Sequence, residues 1–230
     1  MKVLVIVPAY NEEESIKKVV NEIKSKNKDV DVIVVNDGSK DTTVKEAKNT
    51  EALVVDLPCN LGIGGAVQTG YLYAYNNNYD IAIQIDGDGQ HDPSYIKQMV
   101  EIIQKKQADM VIGSRFIEKT CYKQTFMRKL GNNVLSFIIR ILTGKKIYDT
   151  TSGYRASNRE IIKRFANSYP FDYPEPDTNL QLIVSKKVIK EIPVEMRPRT
   201  TGKSFASPLK SVQYMIKVSL ALFIARLRKS

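Results

Sequence analysis

Two carboxylates one residue apart follow the apolar run Ile81–Ile85, in the segment Asp86-Gly87-Asp88-Gly89-Gln90. Carboxylates at the end of a buried strand are costly unless a cation or another partner compensates their charge. Mg²⁺ and Mn²⁺ prefer oxygen ligands and accept further oxygens from phosphate and water. A cation held here would neutralise a diphosphate leaving group as its bond to a sugar breaks. The alternative is an acidic turn in which the glycines adopt positive φ.

Two more polar segments follow apolar runs earlier in the chain. The first is Pro8-Ala9-Tyr10-Asn11-Glu12-Glu13, in which Tyr10 could stack on a base and Glu12 could accept a hydrogen bond from it. Asn11 is also a candidate helix N-cap, so capping alone explains part of this pattern. The second is Asn36-Asp37-Gly38-Ser39, which supplies another carboxylate ahead of two candidate caps, Asp41 and Thr42.

Glycines at positions 62, 64 and 65 resemble a phosphate-binding loop, but their spacing excludes two common types. The third position of a dinucleotide-binding fingerprint is occupied by Val67, and no Gly-Lys-Ser/Thr follows as a P-loop requires. We expect these glycines to let the start of a helix pack close to a ligand.

For His91, the single histidine, we expect a place at a helix start rather than a metal or acid–base role.

The first half of the chain alternates apolar runs with helical segments, which predicts a parallel sheet flanked by helices. Ligands of such sheets bind beyond the carboxyl ends of the strands, where the polar segments above lie. The predicted strands are Val3–Val7, Val30–Val35, Leu53–Leu57, Ile81–Ile85 and Met110–Ile112. The predicted helices are Glu12–Ser25, Asp41–Asn49, Gly64–Asn76 and one that begins after Asp92-Pro93.

The second half is less regular. Apolar residues between Met127 and Leu142 recur every three or four positions, which predicts an amphipathic helix with basic flanks. Residues 169–177 are expected to form a loop, Val188–Met196 a strand and Arg197–Ser207 a polar loop. We expect one domain over residues 1–207, followed by a C-terminal amphipathic helix over 208–230.

The charge distribution points to an anionic partner. The formal net charge is +10, and from Lys186 to Ser230 eleven basic residues face only two acidic ones. Membrane lipid, a phosphorylated substrate or nucleic acid would suit such a segment, as would a solvated face without a partner. Two distant cysteines provide no disulfide framework, and the first apolar run is too short for a signal peptide. These features favour an intracellular setting.

Together the motifs resemble those of family-2 glycosyltransferases, in the group of dolichol-phosphate mannosyltransferase and its bacterial polyprenyl-phosphate relatives. The resemblance covers roughly residues 1–205. It rests on the three polar segments, in order and spacing, and on further matches at Asn60-Leu61-Gly62, Gly113-Ser114-Arg115 and Asp149-Thr150-Thr151-Ser152-Gly153-Tyr154-Arg155. It implies a GT-A fold, a mostly parallel Rossmann-like sheet flanked by helices, and an inverting transfer from a nucleotide-diphosphate sugar.

The resemblance also implies roles for individual residues. Those expected to hold the nucleotide are Pro8, Tyr10, Glu12, Asp37, Gly62 and Asp86. Those expected to bind Mg²⁺ or Mn²⁺ are Asp86, Asp88 and Gln90, and those expected to act in catalysis are Asp86, Asp88 and Arg115, the last near the phosphates. Those expected to bind the acceptor phosphate are Arg199, Lys203 and Ser204.

We therefore expect transfer to a polyprenyl phosphate for cell-surface glycan synthesis, with UDP the favoured donor nucleotide. A phosphate acceptor is already ionised and needs no protein base. The alternative is a sugar hydroxyl of a growing polysaccharide or lipid-linked oligosaccharide as acceptor, with Glu175 or Asp177 as base. No stretch of the chain reaches 18 uninterrupted apolar residues, so nothing is expected to span a bilayer. A non-enzymatic nucleic-acid-binding module is the second class of function, and the absence of interleaved aromatics disfavours it.

The expected location is the cytoplasmic face of the cell membrane, with the C-terminal helix lying in the membrane interface. The helix at Met127–Leu142, also amphipathic and flanked by basic residues, is a second candidate for this contact. Its predicted apolar stripe comprises Leu209, Val212, Ile216, Leu220, Phe223 and Leu227. A small integral membrane partner could serve the same purpose. The alternatives are that the helix covers the sheet or forms an oligomer contact.

Overall fold

The computed structural model describes residues 1–118, 126–198 and 208–227, and within the helices it describes side chains from Lys129 and from Met215 onward. The strands are β1 Val3–Ala9, β2 Asp31–Asn36, β3 Leu53–Asp56, β4 Ile81–Gln84, β5 Met110–Ser114, β6 Arg155–Asn158 and β7 Ile189–Pro193. The helices are α1 Ile16–Lys26, α2 Thr43–Lys48, α3 Gly62–Asn76, α4 Ile96–Gln104, α5 Phe126–Thr143, α6 Arg159–Asn167, α7 Pro174–Val184 and α8 Pro208–Leu227. A 3-10 turn, Pro93–Tyr95, precedes α4.

The seven strands form one sheet in the order β3-β2-β1-β4-β6-β5-β7. All neighbouring pairs are parallel except those of β6, which runs antiparallel to both β4 and β5. Every residue of β1 is buried, as expected for a β-branched strand covered on both faces. The predicted mostly parallel sheet is confirmed. Its first four strands end at the same edge, and the polar segments lie there.

Two apolar layers enclose the sheet. On one face, α1 and α4 bury residues such as Val20 and Met99 against alternate residues of the strands. On the other face, α3, α5, α6, α7 and α8 share a second core that includes Tyr71, Phe165 and Leu222. Buried on both sides, the strands provide a rigid platform for the loops that follow them.

Two predictions for the second half need correction. Residues 169–177 were expected to form a loop, but α7 begins at Pro174, because proline is tolerated in the first turn of a helix where its missing N–H has no partner to lose. The strand β6 was missed because its sequence, Arg-Ala-Ser-Asn, is polar. The polar side chains are satisfied inside the fold: Ser157 lies 3.3 Å from the Tyr71 hydroxyl, and Asn158 bonds to Asp109 at 2.8 Å.

The C-terminal helix α8 is present, and its described apolar residues lie on two opposite sides of the helix. The side chains of Leu209 and Val212, the first two members of the predicted stripe, lie outside the described residues. Val218 and Leu222 are buried against the core, while Ile216 and Leu220 are exposed on the opposite side. Within the described residues, no helix is both long enough and apolar enough to cross a membrane. The division of the chain after residue 207 stays a prediction.

Candidate active site

The acidic segment begins where β4 ends, at the carboxyl edge of the sheet. The Asp86 side chain is 38% exposed. Asp88 lies in a tight turn in which its Oδ1 accepts the Gln90 N–H at 3.0 Å, and Gly89 adopts φ 77°. The segment therefore presents two partly exposed carboxylates at the carboxyl edge of the sheet. Positive φ at Gly89 also agrees with the alternative of a glycine-dependent acidic turn, so the two descriptions are compatible.

His91 supports this segment from inside the fold. Its ring is buried and stacked on Tyr154, with 5.0 Å between ring centroids, and its Nδ1 accepts the Asp86 N–H at 3.1 Å. Because Nδ1 accepts, the proton of the neutral ring lies on Nε2, which is 3.8 Å from Asp86 Oδ2. The helix-start role belongs instead to Asp92, which accepts the Ser94 N–H. His91 therefore positions the backbone of the acidic segment, which the sequence did not predict.

The loop after β1 corrects the expectation for Asn11. This residue adopts φ 54°, its N–H donates to Ser39 Oγ at 2.9 Å, and its Oδ1 accepts the Lys40 N–H at 2.9 Å. The helix α1 begins only at Ile16, so Asn11 is not its N-cap. Its side chain instead joins the loops that follow the first two strands, a function that needs a left-handed residue of the kind asparagine tolerates.

The residues predicted to hold the nucleotide in this loop lie close to the acidic segment. The Ser15 hydroxyl donates to the Gly87 carbonyl at 2.8 Å and lies 3.0 Å from Glu12 Oε2. Tyr10 is 41% exposed, whereas Pro8 is buried at the end of β1. An exposed ring beside a fixed loop is available to stack on a base. The contacts of Pro8, Tyr10 and Glu12 with a nucleotide stay predictions.

Asp37 follows β2, and its side chain reaches the start of α3. It is buried, and its Oδ1 accepts the Leu61 N–H at 2.6 Å. Burial raises the pKa of this carboxyl, and the N–H groups of Leu61 and Gly62 oppose the rise. An added Cβ at Gly38 would lie 2.8 Å from the Asn60 backbone nitrogen, so the two loops are in close contact. Asp37 thus joins the loop after β2 to the loop after β3. Its contact with the nucleotide stays a prediction, and so does that of Gly62.

Arg115 follows β5 and is held by a buried carboxylate. Its Nε and Nη2 each donate to Asp149 at 2.7 Å, its backbone N–H donates to the same carboxylate at 3.0 Å, and Nη2 also reaches Thr151 Oγ1. Asp149 is fully buried, while the Arg115 side chain is 15% exposed. A two-pronged pair of this kind fixes the plane of the guanidinium. The sequence predicted Arg115 near the phosphates but did not identify Asp149 as the group that orients it.

A buried amide lies beside Asp86 and was also missed. An added Cβ at Gly153 would lie 3.0 Å from both Asp86 Oδ1 and Gln84 Nε2, so the two side chains project on the same side of β4. Gln84 is buried, and neither polar atom of its side chain has a hydrogen-bond partner within the described part of the chain. The sequence offered little indication of this side chain, because a single glutamine in an otherwise apolar strand does not by itself suggest a functional role.

A fully buried arginine completes this side of the site. Arg155 Nη1 donates to Thr178 Oγ1 at 2.6 Å and Nη2 to the Glu175 carbonyl at 3.1 Å, which connects β6 to the first turn of α7. Burial raises the pKa of the Glu175 carboxyl, and Asp86 adds to the rise, while the positive charges of Arg155 and Arg115 oppose it. Glu175 therefore belongs electrostatically to the same site as the acidic segment.

The segment that leads into the predicted acceptor loop is attached to the acidic segment. The Arg197 N–H donates to the Gln90 carbonyl at 2.9 Å, and Gln90 Nε2 donates to the Arg197 carbonyl at 3.1 Å. The Arg197 guanidinium binds both carboxylate oxygens of Glu22 at 2.7 and 2.8 Å and lies 3.1 Å from Asp92. The residues predicted to bind the acceptor phosphate lie outside the described residues: Arg199, Lys203 and Ser204.

A family model described as "Glycosyl transferase family 2" matches residues 4–165 of the chain. The chain belongs to glycosyltransferase family 2. This family-2 glycosyltransferase has the GT-A fold, as expected from its motifs. A crystal structure of glucosyl-3-phosphoglycerate synthase from Mycobacterium tuberculosis, with Mn²⁺, UDP and glucosyl-3-phosphoglycerate, has a TM-score of 0.71. That match covers 98% of this chain and 79% of the other at 23% identity, so it establishes the fold alone.

Curated relatives of this family-2 glycosyltransferase carry names that involve lipid phosphates. The chain is 33% identical over 213 residues to UDP-N-acetylglucosamine–dolichyl-phosphate N-acetylglucosaminyltransferase of Methanococcus voltae, and the match covers 84% of each chain. It is 29% identical to undecaprenyl-phosphate mannosyltransferase of Micrococcus luteus, with 89% of this chain and 87% of that one covered.

The donor set of this family-2 glycosyltransferase fits a Mg²⁺ or Mn²⁺ ion whose coordination is only partly supplied by protein. Within the described residues, no group of three or more His, Cys, Asp or Glu side chains forms a cation cage. Asp86 and Asp88 offer oxygen atoms that are partly open to solvent. A cation that takes phosphate and water as its other ligands needs no more carboxylates than these two. Gln90, whose amide nitrogen is already bonded to Arg197, would contribute its remaining oxygen.

Proposed function

We propose that this glycosyltransferase moves a sugar, with inversion, from a nucleotide-diphosphate sugar to a polyprenyl phosphate, with UDP the favoured nucleotide. The proposal is supported most directly by the pair of hydrogen bonds between Gln90 and Arg197. These bonds attach the acidic segment to the residues that immediately precede Arg199 in the sequence. This attachment supports binding of the donor diphosphate and the acceptor phosphate by neighbouring segments of the chain.

The chemistry of the site agrees with a phosphate acceptor. A divalent cation at Asp86 and Asp88 would supply positive charge to the departing nucleotide diphosphate. Arg115, fixed by Asp149, offers a second positive charge whose direction is set before substrate binds. A lipid phosphate is ionised at neutral pH and can attack without losing a proton to the protein. The names of the relatives from Methanococcus voltae and Micrococcus luteus support the same class of acceptor.

The test is direct assay of the purified chain. UDP and GDP sugars are first screened for a rise in melting temperature with Mn²⁺, since a ligand that binds the folded state stabilises it. The best donor is then incubated with a short-chain polyprenyl phosphate, and the glycolipid is detected by mass spectrometry. We expect product with Mn²⁺ or Mg²⁺, none with Asp88→Ala, and none in excess chelator. Full activity in chelator would contradict the proposed metal site.

The acceptor site has its own test. Replacing Arg199 and Lys203 by alanine should raise the KM for the lipid phosphate while leaving the donor-induced rise in melting temperature unchanged. Charge-assisted hydrogen bonds of this kind contribute roughly 1.5–3 kcal/mol each. An equal loss of affinity for donor and acceptor would assign these side chains to the donor or to the fold.

One observation favours a sugar hydroxyl as acceptor instead. A carboxyl with a raised pKa close to the acidic segment suits a general base, and burial raises the pKa of Glu175 in that position. Under this second function, Glu175→Gln would reduce kcat by roughly 10²–10⁴-fold, the usual contribution of a general base. Under the first, the same variant would retain most of its activity with polyprenyl phosphate, because no proton has to be removed.

The first function also implies a location. A polyprenyl chain stays in the bilayer while nucleotide sugars are dissolved in the cytoplasm, so we propose a peripheral location at the cytoplasmic face of the cell membrane. Fractionation of cells that express the chain, with and without a high-salt wash, would test it. Recovery of all the protein in the soluble fraction at low salt would contradict it.

A further inference from the structure

The helix α5 has two apolar faces. One face is buried in the core and includes Leu135 and Ile139. The other face is open to solvent, where Leu130 and Val134 are 46% and 41% exposed and Phe137 and Ile141 are each 63% exposed. These four positions are spaced by four, three and four residues, which places them on one side of a helix. Large apolar side chains thus line the side of α5 that faces away from the protein.

The helix α8 repeats this arrangement. Val218 and Leu222 are buried, whereas the side facing away from them is apolar and open. Exposed on that side are Ile216 at 65%, Leu220 at 59%, Phe223 at 46%, Ile224 at 44% and Leu227 at 73%. A helix that only covered a sheet would present polar residues to solvent. The outer side of α8 therefore has a use other than packing within the chain.

The two helices lie side by side and run in the same direction. Near the start of their contact, an added Cβ at Gly131 would lie 3.1 Å from Met215 Sδ. Near its end, Arg226 Nε donates to the Leu142 carbonyl at 3.2 Å. Both contacts join residues that are 84 positions apart, as expected for parallel helices in register. Because the inner sides of both helices belong to one core, their outer sides form one surface, named here the outer face.

The outer face is large for an exposed apolar surface. Its members are Leu130, Val134, Phe137 and Ile141 of α5 and Ile216, Leu220, Phe223, Ile224 and Leu227 of α8. With side chains of roughly 150–200 Å² each and about half of that exposed, nine of them present on the order of 700–900 Å². The largest apolar patch on a typical monomer is roughly 300–600 Å² and is itself often functional.

The charges around the outer face select its partner. Neither helix contains an aspartate or glutamate, and the five residues that follow α5, Gly144 to Tyr148, contain none either. Exposed basic side chains are Lys129, Arg140, Lys145, Lys146 and Lys217. An apolar face with a basic surround is complementary to a bilayer with anionic headgroups. A second copy of the chain would bring the same positive charges together, which disfavours a symmetric dimer through this face.

The outer face is also connected to the active site. Asn132, on the inner side of α5, donates to the Tyr148 carbonyl at 2.6 Å and accepts from the backbone and hydroxyl of Thr150 at 2.9 and 2.8 Å. Between these two residues lies Asp149, the partner of Arg115. The outer face is therefore connected, through α5 and residues 148–150, to the guanidinium that we assign to the phosphates.

We propose that the outer faces of α5 and α8 together form a bilayer-docking surface that seats the active site on anionic lipid. This proposal rests on the proposed function, because it supplies the means by which a soluble donor meets an acceptor embedded in lipid. It gives α5 an equal share of the surface, whereas the sequence offered that helix only as an additional candidate. The apolar stripe predicted for α8 lies on the outer face from Ile216 onward, and α5 contributes the other half of the surface.

The test uses the full chain and vesicles of defined composition. Binding is measured by flotation with phosphatidylcholine vesicles and with vesicles that also contain phosphatidylglycerol. A double variant, Phe137→Gln with Leu220→Gln, changes one exposed residue on each helix and is named the outer-face variant. It should weaken binding about tenfold or more. The matched control is Leu72→Gln on α3, which is 46% exposed and lies outside the outer face. Its binding and melting temperature should equal those of the wild type. Removing α8 altogether would uncover the core and is a poorer test.

The charges are tested separately. Lys145→Gln with Lys146→Gln should weaken binding to the anionic vesicles and leave binding to phosphatidylcholine vesicles unchanged, since only the anionic headgroups attract them. Equal binding of the outer-face variant and the wild type would overturn the proposal. So would binding only to vesicles that contain an integral membrane protein, or a wild-type dimer in sedimentation that the outer-face variant abolishes.

Activity assays distinguish failure of docking from failure of the proposed function. With detergent-dispersed polyprenyl phosphate, the outer-face variant should turn over as fast as the wild type, whereas with vesicle-embedded acceptor its rate should fall about tenfold. If the wild type uses neither form of the acceptor yet floats with anionic vesicles, the proposed function fails and the docking surface stands. If the wild type uses both forms of the acceptor and does not float with anionic vesicles, the docking surface fails and the proposed function stands.

Discussion

Adding one methyl group at Gly153 tests whether the position of the Asp86 carboxylate matters. An added Cβ would lie 3.0 and 3.1 Å from the two carboxylate oxygens of Asp86 and 3.0 Å from Gln84 Nε2. Gly153 is not among the glycines with positive φ, so Gly153→Ala changes the available space and not the backbone. Ordinary contacts begin near 3.4 Å, so Asp86 and Gln84 both have to move by a few tenths of an ångström.

Two magnitudes follow from that displacement. Overpacking of this kind costs roughly 1–3 kcal/mol, which lowers the melting temperature of a chain of this size by roughly 2–12 °C. A misplacement of about 1 Å costs a reaction about 100-fold, so a shift of a few tenths should reduce kcat/KM about four- to sixfold. We expect the Mn²⁺ concentration for half-maximal activity to rise by a similar factor, because the displaced carboxylate is a proposed ligand.

The assay is a Mn²⁺ titration of turnover with the donor found by thermal shift, alongside thermal unfolding. The matched control is Gly131→Ala, whose Cβ would lie 3.1 Å from the flexible Met215 side chain and away from the acidic segment. That control should retain wild-type turnover and Mn²⁺ dependence, whatever its melting temperature. If Gly153→Ala lowers the melting temperature but leaves turnover and Mn²⁺ dependence unchanged, Asp86 does not act through a fixed position, and the assignment of the metal site is wrong.

Two further predictions concern ion pairs around the site. Hydrogen bonds from Arg197 lower the pKa of Glu22 to about 2 from 4.5, so this pair stabilises the fold above about pH 4.5 and is lost as the pH falls towards 2. The melting temperatures of Glu22→Gln and wild type should therefore differ most near neutral pH and converge near pH 2, and a difference independent of pH would mean that Glu22 acts by packing. Asp149→Asn should destabilise the protein by about 3–5 kcal/mol in urea unfolding, because it leaves the Arg115 charge without its buried partner. A loss below about 1 kcal/mol would show that Arg115 has another adequate partner.

The sequence was sufficient for the parallel strands of the sheet and for the place of the acidic segment. The strands β1, β2 and β4 are β-branched runs long enough to be buried on both faces, and their length and spacing require parallel neighbours. Parallel strands end at the same edge of a sheet. The segments that contain Asp37 and Asp86 each follow such a strand, so both had to lie at that edge. Local composition and chain order carry this information without any knowledge of packing.

Local composition failed where a distant partner decides the conformation. The polar strand β6 is stable because Arg155 donates hydrogen bonds to Thr178 and to a carbonyl in the first turn of α7. Asn11 has the residue type of a helix cap but adopts φ 54°, where it bonds to the loop after β2. No pattern of neighbouring residues predicts bonds to partners so far along the chain.

The same limit applies to the charges and to the outer face. Glu22 and Arg197 are separated by 175 positions, and their pairing arises only when the chain returns to the acidic segment. The periodicity of α8 indicated apolar residues but not which of them would be buried. That was decided by packing: α5 and the core cover Val218 and Leu222, and the residues on the opposite side of the helix stay exposed. Sequence periodicity specifies which residues share a side of a helix, and only the tertiary structure determines which side is covered.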